Sequence, residues 1–147
     1  MVQEEGLTEQ MDGEIHMVSP SNPGPEHDKD DIMGVAIHEL AHIVASELSI
    51  DTTDNRLFLS EGLATCLAGQ ACQLDIDMEI PNVDTVISSC EDGWVYQVGF
   101  VFMEFIASEF GDAGLVALYK DPEVFIRNNP GLNEMWLDKC KKTPTSL

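Results

Sequence analysis

At 147 residues, with 27 acids against 7 bases and a net charge of −20, the chain has the size of one ordinary domain and a field that repels nucleic acid and anionic membranes. Its 44% hydrophobic content supplies a core, and no apolar run reaches the roughly 18 residues that would suggest a membrane span. The acidic start, Met1-Val2-Gln3-Glu4-Glu5-Gly6, lacks the apolar centre of a secretory signal.

Residues 1–12 are polar and acidic and read as loose. Glu14-Ile15-His16-Met17-Val18-Ser19-Pro20 reads as a strand ended by its proline, with His16 an ordinary strand residue. Prolines at 20, 23 and 25 make 21–27 a loop with His27 on its surface. A helix then starts near Asp30 or Asp31, where either carboxylate can cap it and meet its dipole. Ile32, Val35, Ala36, Leu40, Ile43, Val44 and Leu48 give it a wide apolar face, and it stops near Asp51.

This helix carries His38-Glu39-Leu40-Ala41-His42. Residues four apart lie on one helix face with Cβ atoms about 5–6 Å apart, close enough for two imidazoles to reach one zinc ion. Glu39 is turned about 100° from His38, which suits a base acting on a water at the metal better than a third ligand. The third ligand is expected after 18 intervening residues, 43–60, at Glu61 in Phe58-Leu59-Ser60-Glu61-Gly62-Leu63-Ala64. Two histidines and a carboxylate with a position left for water make a catalytic zinc set; structural sites close all four positions and favour cysteine. The polar turn Thr52-Thr53-Asp54-Asn55 lets the second helix, about 57–70, fold back so that Glu61 meets the histidines. Thr65, one turn beyond Glu61, is either a hydrogen-bond partner for a ligand or an ordinary helix threonine.

Residues 73–92 are less regular, with a short helix expected near 81–87 and an alternation of Asp75, Asp77 and Glu79 that suits either a short strand or an acidic rim. A helix over about 93–109 is apolar nearly all round and belongs in the middle of the domain, with Tyr96 near its start. Gly111-Asp112 ends it and starts another through about Lys120. Asn128-Asn129-Pro130-Gly131 is a turn, and a last helix over about 132–142 turns Met135, Trp136 and Leu137 inward. Cys66, Cys72, Cys90 and Cys140 form no CxxC pattern and point to a reducing, cytoplasmic home, with Cys66 and Cys72 as small core residues.

The His-Glu-x-x-His pair, the 18-residue gap and the Glu-Gly that follows resemble the gluzincin metallopeptidases, with the spacing of the aminopeptidase N group. Phe58-Leu59-Ser60-Glu61-Gly62-Leu63-Ala64 is similar to that group's Trp-Leu-x-Glu-Gly-x-Ala, and Tyr96-Gln97-Val98-Gly99-Phe100 to its Tyr-x-Lys-Gly-Ala, with Val98 in place of the lysine. The resemblance implies His38, His42 and Glu61 as ligands of one Zn2+ per chain, Glu39 as general base and Tyr96 as oxyanion donor. It also implies a peptide or protein substrate lying extended along an N-terminal strand that edges the cleft. No segment like Gly-Ala-Met-Glu-Asn precedes the helix, so a grip on a free amino terminus is not implied.

The expected architecture is a single small α+β domain over 1–147: an α-rich zincin with an N-terminal strand or short sheet and about five helices. The expected function is zinc-dependent hydrolysis of peptide bonds, with a partner protein available to complete the cleft. The alternatives are a zinc-bearing module that holds an extended peptide without cutting it, and a metal-free scaffold.

Overall fold

The structure is a computed structural model that describes residues 10–11, 14–15, 32–48, 57–70, 74, 77–88 and 95–142. The expected α+β class does not hold. The described residues form a small all-helical fold of six helices, and among them no N-terminal sheet layer packs as the second half of an α+β domain. Among the described residues, strand backbone is limited to Gln10–Met11 and Glu14–Ile15, which pair antiparallel in two rungs, Gln10 opposite Ile15 and Met11 opposite Glu14. Two rungs fall well short of the usual strand of about 5–6 residues and offer no layer for a helix to cover. Residues 16–20 of the expected strand lie outside the described residues. So do the loop 21–27 with His27, Asp30, Asp31, the turn 51–55, Asp75, Cys72, Cys90 and Trp94.

The helices are α1 (Ile32–Leu48), α2 (Leu57–Leu67), α3 (Val83–Ser88), α4 (Val95–Lys120), α5 (Pro122–Asn128) and α6 (Leu132–Lys142). Apolar residues recur at helical spacing through α4, and Val98, Phe102, Met103, Phe105 and Ile106 are buried there. α4 is broken at Gly111, whose φ of 65° and ψ of −169° suit glycine alone, where the sequence marks one helix ending and another starting. α5 is the helix the sequence reading passed over. Asp121 caps it by accepting from the Val124 amide at 3.0 Å, and Pro122 opens its first turn.

α2 packs chiefly against α4 and then against α1. The α2–α4 contact is set by two glycines. A Cβ added to Gly62 would lie 2.5 Å from the Gly99 carbonyl, and one added to Gly99 would lie 2.7 Å from the Phe58 oxygen. The backbones touch there, and only glycine at both positions permits it. Trp136 of α6 is fully buried, donates from Nε1 to the Pro81 carbonyl at 2.8 Å and meets Phe102 edge-on at 5.2 Å. Met135 of the same helix faces solvent, contrary to expectation. No described helix is long and apolar enough to cross a membrane.

The face α1 turns inward also differs from the expected one. Leu40 and Val44 are exposed, with Met33 and Ile37 beside them, and Ala41 and Ala45 are buried. α1 packs chiefly against α2, and this packing brings the α1 histidines to Glu61.

Candidate metal centre

The two histidines sit on successive turns of α1, with ring centroids 4.8 Å apart and planes at 75°. Glu61 rises from the second turn of α2 between them. His38 Nε2 lies 3.1 Å from Glu61 Oε2, and His42 Nε2 lies 3.4 Å from Glu61 Oε1. Each residue can offer one ligand atom such that all three atoms lie within 4.8 Å of one another, so His38, His42 and Glu61 form a group that could hold a metal ion. All three side chains are largely but not wholly covered, with relative exposures of 13%, 15% and 16%. The sequence-predicted ligands are therefore brought together.

The outer nitrogens of the histidines are also engaged. His38 Nδ1 is 3.0 Å from Gln70 Oε1, an atom that can only accept, so Nδ1 carries the proton. His42 Nδ1 is 2.9 Å from the Ser60 hydroxyl. With both Nδ1 atoms held from outside, the Nε2 atoms face the carboxylate. With its proton on Nδ1, a neutral His38 would aim the Nε2 lone pair at a carboxylate, an arrangement that calls for a cation between them. A proton or a metal ion meets that need.

The electrostatics follow from the same contacts. The hydrogen bond to Glu61 raises the His38 pKa above its ordinary 6.5; burial opposes this, and the Gln70 bond and the Glu61 and Glu39 charges add to it. Burial pushes the Glu61 carboxyl up, but the hydrogen bonds and charges of His38 and His42 outweigh it and hold the pKa down to about 2. Glu61 is thus a carboxylate throughout the neutral range.

Glu39 is half-buried, and its charge reaches the His38 ring. Tyr96 stands in the first turn of α4 with 51% of its surface exposed, although that helix was expected in the middle of the domain. One turn later, Gly99 touches Gly62, the residue after Glu61, so the glycine contact joins the two motif blocks. Thr65 is buried, and its Oγ1 has no hydrogen-bond partner, so it supports no ligand.

Gln70 and Ser60 were missed as supporting groups. Gly69, directly after an apolar helical run, was the available signal for a chain reversal that would return Gln70 to the site. Ser60 carried no signal beyond its place before Glu61. Cys66 and Cys140 are free thiols outside the metal group. Burial pushes the Cys66 thiol up, helped by the Glu104 charge, and pushes Cys140 up to about 11. Comparison of the chain with protein-family models, with curated proteins and with solved structures finds no match.

Proposed function

We propose that the chain is a zinc-dependent peptidase of the gluzincin type, with one zinc ion on His38, His42 and Glu61. The observation that carries this reading is the convergence of two Nε2 atoms on one carboxylate, each imidazole turned there by a partner on its Nδ1. A bound zinc ion would supply Lewis acidity, polarising a peptide carbonyl and acidifying a water. Two imidazoles and one carboxylate leave such a site with net positive charge.

Glu39 is the general base of this reading. It stands next to a ligand on the same helix and belongs to neither the ligand set nor the buried core. It takes a proton from the attacking water as the new C–O bond forms and gives it to the nitrogen as the C–N bond breaks. Tyr96 would donate its hydroxyl to the oxyanion. Among the described residues strand pairing is only two rungs long, too short to hold an extended peptide by strand addition, so side-chain recognition of a peptide is the form proposed.

The test is cleavage of a diverse peptide mixture by zinc-loaded protein beside Glu39→Gln, read by mass spectrometry. The variant should hold zinc as tightly and lose cleavage by about 10²-fold or more. Equal cleavage by the variant would sink the reading. Intact peptides from both zinc-loaded proteins would point instead to a zinc-bearing peptide-binding module.

A further inference from the structure

Gln70 reaches His38 by a route that α2 itself does not provide. The helix ends in a reversal in which the Gly69 amide bonds the Cys66 carbonyl at 3.1 Å and the Gln70 amide bonds the Thr65 carbonyl at 3.0 Å. Gly69 has a φ of 66°, the left-handed conformation this ending requires. The reversal turns the chain back across α1, and the Gln70 side chain passes over Gly34, one turn before His38. A Cβ on Gly34 would lie 3.6 Å from Gln70 Nε2. The amide then meets His38 Nδ1 at 3.0 Å. Thr65, the helical residue placed by sequence to do this, has its hydroxyl buried without a partner.

From this geometry, and resting on the proposed metal site, we infer that Gln70 is a positioning residue for the metal. Its Oε1 fixes the Nδ1–H tautomer and ring orientation of His38 so that Nε2 is presented to the ion. The role belongs to the side chain and not to the turn, because the turn is held by the Gln70 backbone amide and by Gly69. Gln70 is also a neutral acceptor where a carboxylate would make the imidazole a stronger ligand. The site is therefore tuned toward weaker binding and a more positive ion than a carboxylate partner would give.

The experiment is zinc titration of the full chain against a chromophoric chelator, for the unmodified protein, Gln70→Ala and Gln70→Glu. Thermal melts of the metal-free forms accompany it. Gln70→Ala keeps the backbone bond to Thr65 and should melt with the unmodified protein, yet bind zinc about 10–100-fold more weakly. Gln70→Glu should bind at least as tightly as the unmodified chain. Cobalt-loaded Gln70→Ala should show an altered visible spectrum, because the ring is no longer held. Unchanged zinc affinity in Gln70→Ala overturns the inference and leaves the metal site standing. Absence of zinc binding by the unmodified chain removes both.

Discussion

His38 Nε2 faces Glu61 at 3.1 Å while its other nitrogen is committed to Gln70, so a proton and a metal ion compete for one lone pair. The sign of the pH dependence follows. In the metal-free protein the raised His38 pKa contributes stability that is fully present below 6.5 and is lost as pH rises through the raised value. The lowered Glu61 pKa contributes stability that is present above 4.5 and is lost as pH falls toward about 2. Between 4.5 and 6.5 both contributions are in place, and the metal-free pair is at its most stable. Zinc reverses the upper side of this window, because it binds the deprotonated ring. The gain in melting temperature on adding saturating zinc should therefore be small at about pH 5.5 and large at about pH 8. A gain that is flat across that range would mean that His38 is not a ligand.

Among elements, α1 and α2 carry the metal group, and the α2–α4 contact fixes where α2 sits. Gly62 and Gly99 make that contact backbone to backbone. Gly62→Ala should force the helices apart at a cost of about 1–3 kcal/mol and weaken zinc binding with it. Gly131→Ala, where an added Cβ meets nothing within 4 Å, is the matched control and should change neither. Urea unfolding with and without zinc checks both; an unperturbed Gly62→Ala would show that the contact is not rigid.

The helices were largely legible because their apolar residues recur at helical spacing, and the metal group because His38, His42 and Glu61 stand at fixed separations along two of them. The inward face of α1 was not legible. Hydrophobic pattern favours Leu40 and Val44, but Ala41 and Ala45 are the residues that α1 buries. α5 escaped because seven residues between Asp121 and Asn129 give too little periodicity to stand out. Its start signals, Asp121 and Pro122, were there to be read. The N-terminal strand was inferred from an alternating run and from the resemblance, and among the described residues it amounts to two rungs.

For the whole molecule, the dominant quantity is charge. A net −20 over 147 residues leaves acids exposed on several elements, among them Glu47 on α1, Asp84 on α3, Glu104 and Glu109 on α4 and Glu123 on α5. A zinc ion with its three ligands adds only about one positive charge, so the field around a loaded site stays negative. That field raises the local concentration of cationic peptides and lowers that of anionic ones, an effect on encounter more than on chemistry. Exposed charges farther apart than about 10 Å are largely screened at 0.1 M salt and those beyond about 3 Å at 1 M. Under the proposed activity, kcat/KM for a lysine-flanked peptide should exceed that for its aspartate-flanked counterpart by about tenfold or more at low salt. The difference should collapse in about 0.5 M sodium chloride while kcat stays nearly constant. A preference that survives high salt would place the discrimination in direct contacts at the site, and a preference for the acidic peptide would contradict steering by the molecular charge.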